Sequence, residues 1–199
     1  DPLWSRGLGD VYKRQDADGP GGAEAIKMAI ADFGGSVAGK KIEVLVADHQ
    51  NRADIASSRA REWLDQKGVN MLIAGANSAA ALAMAKVAEE KKTPFFVVSA
   101  GASELTNSQC TPYTVHYVYD TVSLARGTAR AMLKEGNKDW FFLTVDHAFG
   151  QALERDASAV VTADGGTVKG RVRHPLNTAD FSSFILQAQA SGATVLGLA

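Results

Sequence analysis

Cysteine is nearly absent: the chain has one, Cys110. No internal disulfide can form, and no Cys-x-x-Cys spacing points to a structural metal or a redox centre. A lone Cys110 reads as an ordinary packed or half-buried thiol. An excess of one charge is missing as well. Lys and Arg number 21 against 22 Asp and Glu, for a formal net charge of -1. The basic residues are scattered, which excludes the electrostatic footprint of a nucleic-acid or acidic-membrane binder. No apolar run approaches the roughly 20 residues that a spanning helix needs. The histidines, His49, His116, His147 and His174, lie in separate segments. They offer no His-x-x-x-His pair and no nucleophile-base spacing, so neither a metal site nor catalytic residues are expected. DGPGG, residues 18–22, falls short of a dinucleotide loop and reads as a tight turn that opens a helix. No cofactor is expected.

What is present is a globular composition: 199 residues, 46% hydrophobic and 22% charged, enough to bury a substantial core. The opening DPLWSRGLGDVYKRQ, residues 1–15, has no apolar signal-peptide core and no helical or strand period, and composition changes abruptly at Asp16. It is similar to a translated adapter scar and is set aside as non-native. The true first strand and any signal peptide are expected to be lost with it.

From Gly21 onward, helical and extended patterns alternate. Ile26, Ala29, Ile30 and Phe33 recur at helical spacing before the Gly34-Gly35 stop. KIEVLVADH (41–49) reads as a strand and 51–67 as a helix with Ala56, Ala60, Trp63 and Leu64 on its apolar side. NMLIAG (70–75) is a buried strand, 79–91 an alanine-rich helix and PFFVVSA (94–100) another strand. A second series follows the extended TPYTVHYVY (111–119): helix 121–135, strand 139–146, helix 148–163, strand 166–174, helix 181–191 and strand 193–199. Strands alternating with helices predict a parallel sheet flanked by helices, hence an α/β fold. Two such units meet near 119–121. The last strand ends with the chain, so a carboxyl-terminal part is expected to be missing.

Two loops follow apolar strands: GANSAA (75–80) and SAGAS (99–103). Ligands of open parallel sheets bind outside the carboxyl ends of the strands, which places both loops at a binding lip. Rich in small and hydroxyl residues, the loops suit holding a small molecule rather than transforming it. Ser78 before the alanine-rich helix has two readings, a helix cap or a ligand contact, and Ser103 the same two. Asp146 and His147 end a strand, and either could touch solute. Tyr117 and Tyr119 alternate along the crossing segment, so either can line a cleft or pack away from it.

In order, GANSAA, TPFFVVSAGASELTN, WFFLTVDHAFGQALERD and GGTVKGRVRHPLNTADFSSFILQAQASGA are similar to periplasmic substrate-binding proteins of ABC importers. The resemblance is to the branched-chain amino acid, Leu/Ile/Val-binding-like type of the class I periplasmic binding fold, and it runs from Asp16 to Ala199. It implies two lobes, each a parallel sheet flanked by helices, with 16–119 the first (incomplete) and 120–199 the second (incomplete). The family's first-lobe contacts match Asn77, Ser78, Ala79, Gly101, Ala102 and Ser103. Its second lobe offers an aromatic residue at the position of Phe149, and Tyr119 joins the list from the crossing. DADGPGGAEAIKMAIADFGG, ADHQNRADIA and HPLNTADFSSF look most like a branch associated with aromatic acids.

The resemblance thus implies a periplasmic, monomeric, non-enzymatic protein. Its partners would be a small carboxylate, an aromatic acid or branched-chain amino acid, and, transiently, a membrane permease. A carboxylate suits backbone amides at helix starts, here of Ala79 and Ala102, with the Ser78 and Ser103 hydroxyls as further donors. Phe149 would stack on an apolar or aromatic end, worth roughly 0.5–1.5 kcal/mol beyond its buried area. The same fold also serves ligand-sensing domains of regulators and receptors, the alternative reading; a nucleotide-dependent α/β enzyme comes third.

Overall fold

A computed structural model describes residues 8–9, 20–74 and 77–199. The chain divides into two compact units, Asp1–Ala100 with Glu104–Val118, and Gly101–Ser103 with Tyr119–Ala199. It therefore enters the second unit at Gly101, leaves it after Ser103 and returns at Tyr119. The short 101–103 segment, placed in the first lobe by the sequence pattern, packs with the second unit instead.

The first unit begins with β1 (Leu8–Gly9), which runs parallel to β4 (Leu45–Val46) with Leu8 opposite Leu45. Leu8 and Gly9 lie within the opening segment set aside above; the rest of that segment, and Asp18 and Gly19 of DGPGG, lie outside the described residues. Helix α1 (Pro20–Asp32) leads to a small antiparallel hairpin of β2 (Ser36–Val37) and β3 (Lys40–Lys41). Its two-residue turn is Ala38-Gly39, both at positive φ (50° and 74°), the backbone that matches the twist of tight hairpins. The expected single strand 41–49 is thus divided: Lys41 pairs in the hairpin and Leu45–Val46 in the parallel ladder.

Next come α2 (Ala53–Gln66), β5 (Leu72–Ala74), α3 (Ser78–Glu90), β6 (Phe95–Val97), a 3-10 turn (Ser103–Leu105) and β7 (Thr114–His116). Strands β5, β6 and β7 form a parallel sheet in that order, with Leu72 opposite Phe95 and Phe95 opposite Thr114. The core joins Ala56, Ala60 and Trp63 of α2 to Ala81, Met84 and Ala88 of α3 and to Leu72, Phe95 and Val97 of the sheet. Facing alanines let the two helix backbones approach closely while Trp63 and Met84 fill the remaining volume.

The second unit is a parallel three-stranded sheet in the order β10-β8-β9: β8 (Asp139–Val145), β9 (Thr167–His174) and β10 (Val195–Leu198). Central β8 is buried from Trp140 to Thr144, as expected of a strand covered on both faces. Helices α4 (Thr121–Lys134), α5 (Ala148–Ala163) and α6 (Ser182–Ala190) complete the unit. An Asp120-Ser123 capping box starts α4, and its Ala125, Ala129 and Leu133 pack with Trp140, Phe142, Ala157 and Val161. Helix α5 runs over 148–163, the range that its apolar period predicts.

Candidate functional site

Both loops singled out in the sequence lie where a parallel strand hands over to a helix or turn. In the first unit, β5 leads to the start of α3; Gly75 and Ala76 of that loop lie outside the described residues. Asn77 is the cap of α3: its Oδ1 accepts from the Ala80 amide at 2.8 Å. The cap reading of Ser78 is therefore corrected by one position. Ser78 is the first helical residue and is buried, while Ala79 beside it is half-buried. An Asn one residue earlier wins because its amide oxygen reaches the third helical N–H from an extended backbone, φ -116° and ψ 113°.

Asn77 is itself held. Its Nδ2 donates to Asn51 Oδ1 at 3.1 Å, and the Asn51 backbone N–H donates to Nδ1 of buried His49 at 3.1 Å. Gln50 and Asn51 both lie in the left-handed region (φ 53° and 58°), a backbone that costs energy for residues other than glycine and that Asn tolerates better than most. The strained 50–51 turn thus directs one carboxamide onto the start of α3. Sequence inspection missed Asn51. Its only signal is an Asn two residues after a strand-ending His, in ADHQNRADIA.

In the second unit Gly101, Tyr119 and Phe149 come together. A Cβ placed on Gly101 would sit 2.8 Å from Tyr119 Cε2 and 3.1 Å from Phe149 Cε2. Glycine is required there because both rings lie against its backbone. Tyr119 is exposed and Phe149 half-buried, whereas Gly101, Ala102 and Ser103 are buried. Tyr117, the other tyrosine of the crossing, belongs to the first unit and is 78% exposed.

Phe149 is fixed by the start of α5. His147 caps that helix, its Nδ1 accepting from the Phe149 amide at 3.1 Å. That acceptor role requires a neutral ring with the proton on Nε2. Burial, the largest influence, pushes the His147 imidazole below its ordinary value, partly offset by a backbone hydrogen bond. Asp146 turns elsewhere, accepting from Gln151 Nε2 at 2.9 Å. Gly150 follows Phe149 because a Cβ there would run into the Val145 carbonyl.

Ser103, two residues after Gly101, is held by side chains of α4 and α5. Its Oγ donates to Asp156 Oδ2 at 2.8 Å and accepts from Arg155 Nη2 at 2.8 Å, and its amide donates to Thr121 Oγ1 at 3.2 Å. Asp156 and Thr121 were not singled out in the sequence. Asp156 lies seven residues after Phe149, two turns along the same face of α5, but an acidic residue in a surface helix also reads as solvated. Among the described residues, no three His, Cys, Asp or Glu side chains gather to hold a metal ion.

Residues 14–199 match the model of the family described as periplasmic binding protein. The chain is similar to a solved periplasmic binding protein from Burkholderia mallei, at 58% identity and TM-score 0.96, over 99% of this chain and 53% of that one. It is also similar to a solute-binding protein of an ABC transporter from Rhodopseudomonas palustris BisB5, solved in complex with 3,4-dihydroxybenzoic acid. There the identity is 28% and the TM-score 0.85, over 100% of this chain and 55% of that one. Leu/Ile/Val-binding protein homolog 6 of Brucella abortus (strain 2308) is 29% identical over 170 residues, 84% of this chain and 43% of the relative. The chain thus spans about half the length of the relatives it matches.

Proposed function

The chain belongs to the periplasmic binding protein family, and from that premise we propose that it acts as the solute-binding component of an ABC importer, not as an enzyme. Its solute is a small carboxylate, and an aromatic acid is favoured over a branched-chain amino acid. The observation that carries this reading is the Gly101-Tyr119-Phe149 cluster, where two rings lie against a glycine backbone and one of them is exposed. Likeness to the protein solved with 3,4-dihydroxybenzoic acid supports the same class.

In this reading the carboxylate is taken by amides at the start of α3, around Ser78 and Ala79, with Asn77 holding the helix end. A helix N-terminus presents N–H groups and a partial positive charge to such an anion. Gly101, Ala102 and Ser103 supply further contacts, and Tyr119 and Phe149 cover the ring. The units act as two lobes, and solute capture shifts them from an open to a closed arrangement. The closed form engages a membrane permease, and the protein works as a monomer in the periplasm.

Thermal unfolding against a panel of benzoate, 3,4-dihydroxybenzoate, leucine, isoleucine and valine tests the reading. A ligand at 100 times its Kd adds about 2.7 kcal/mol, a visible rise in midpoint. Stabilisation by the aromatic acids is expected. Stabilisation by the amino acids alone would overturn the preference for an aromatic solute, and silence across the panel would favour a sensing role with another ligand.

A further inference from the structure

The 101–103 segment is three residues long, and its neighbours on both sides, Ala100 and Glu104, pack with the other unit. Its attachment to the second unit runs through a cluster centred on one carboxylate. Asp156 Oδ2 accepts the Ser103 hydroxyl at 2.8 Å and the Thr121 hydroxyl at 2.6 Å. Thr121 returns two bonds to the segment: its amide donates to the Gly101 carbonyl at 2.8 Å, and its Oγ1 accepts from the Ser103 amide at 3.2 Å. Thr121 and Ser103 are buried, and the Asp156 side chain is 12% exposed. The other carboxylate oxygen, Oδ1, takes Arg155 at 2.9 Å, and Arg155 also donates to Ser103.

Hydroxyl-to-carboxylate bonds of this length are the strong, charge-assisted kind. They join residues 53 and 35 positions apart in sequence, so local chain geometry does not supply them. Their effect reaches Gly101 through Thr121, whose amide donates to the Gly101 carbonyl, and the rings of Tyr119 and Phe149 lie against that glycine too closely for a Cβ.

We propose that Asp156 is a positioning residue for the solute site: its Oδ2 gathers the hydroxyls of Ser103 and Thr121 and thereby fixes Gly101 against the Tyr119 and Phe149 rings. This rests on the solute-binding reading above. It also gives the Ser103 hydroxyl a specific task, since its proton is committed to Asp156 and the segment meets solute through its backbone. Asp156 acts through the segment and itself touches no solute.

The test is calorimetric titration of the protein and four variants with whichever of 3,4-dihydroxybenzoate, benzoate or leucine saturates the parent, with melting temperature read in parallel. Asp156→Ala removes the acceptor and is expected to weaken binding about tenfold to a hundredfold, the scale of losing partners for buried hydroxyls. Asp156→Asn keeps an acceptor oxygen for both hydroxyls and restores most of the affinity. Thr121→Val, which loses the same hydroxyl while keeping its shape, weakens binding in the same way, and Thr121→Ser does not; this pair decides the matter should Asp156→Ala fail to fold. A lowered melting temperature with unchanged affinity in Asp156→Ala or Thr121→Val would reduce the cluster to plain stability and overturn the proposal. So would an Asn variant as weak as the Ala variant. A parent that binds none of the probes overturns the solute reading itself, and this proposal with it.

Discussion

The two units begin their site helices differently. In the first, α3 is capped by the amide of Asn77, which a second amide, Asn51, holds in place. In the second, α5 is capped by an imidazole, His147, and the nearby 101–103 segment is tied to a carboxylate. An amide cap does not titrate; an imidazole cap that accepts a hydrogen bond is lost on protonation. Protonation therefore breaks the cap itself in the second unit, whereas in the first it reaches Asn77 only through Asn51, whose backbone N–H rests on Nδ1 of His49.

The largest effect that sharpens this contrast is steric. At the third helical position α3 has Ala80 and α5 has Gly150. Gly150→Ala drives a methyl into the Val145 carbonyl and is expected to cost about 1–3 kcal/mol, as overpacking does. Urea unfolding measures it.

Removal of the caps comes next. Asn77→Ala should destabilise by about 0.5–2 kcal/mol, typical of a lost side-chain cap. Asn77→Asp keeps the acceptor for Ala80 but loses the donor to Asn51, so it recovers part of that loss in the same unfolding assay. His147→Ala at neutral pH falls in the same range. Equal losses in Asn77→Asp and Asn77→Ala would remove the cap from the account of unit one.

pH acts on the α5 cap directly. The folded value of His147 lies below its ordinary one, so the unfolded chain takes up the proton first. The stability from its cap is full above the ordinary imidazole range and declines as pH falls through the lowered folded value. His147→Asn, a cap without a titrating ring, should flatten that slope in melting temperature against pH.

A second loss lies lower, on the same helix. Burial, the largest single influence, raises Glu154, but the Thr144 hydroxyl, a hydrogen bond from Arg171 and the charges of Arg173 and Arg171 outweigh it, leaving the carboxyl below its ordinary value. Its contribution is present above the ordinary carboxylate range and disappears as pH drops through the lowered one. Glu154→Gln should abolish the lower slope and leave the upper one intact.

The smallest effect is on the surface of the first unit. Arg61 and Glu90 pair at 2.6 Å, but both are about half exposed, where solvent and salt screen the attraction. Arg61→Ala should leave the melting temperature unchanged within error, in contrast to the buried polar groups of α5.

Much of this architecture was legible because it is local. The apolar period of 148–163 sets α5 to the residue, and the Gly165 turn (φ 80°) that ends it allows β9 to begin at Thr167. The Ala38-Gly39 hairpin was missed because its turn carries alanine where an Asn would be the usual signal. The cap of α3 was misplaced by one residue, since Asn and Ser are adjacent and both are good caps. Placement of Gly101–Ser103 in the second unit could not be read at all. It depends on Asp156 and Thr121, far along the chain, and no periodicity within SAGAS reports a bond to either. The eight expected site residues consequently fall into two groups, Asn77 to Ala79 on one unit and the other five on the other.

In the proposed function, the Gly101-Tyr119-Phe149 cluster receives the ring of an aromatic carboxylate. Calorimetric titration of the parent and Phe149→Ala with 3,4-dihydroxybenzoate and with leucine tests it most directly. The account predicts saturable binding of the aromatic acid and a loss of about 1–3 kcal/mol in Phe149→Ala, the scale of removing a buried ring and its stacking. Tight binding of leucine with none of the aromatic acid, or aromatic binding indifferent to Phe149, would contradict it.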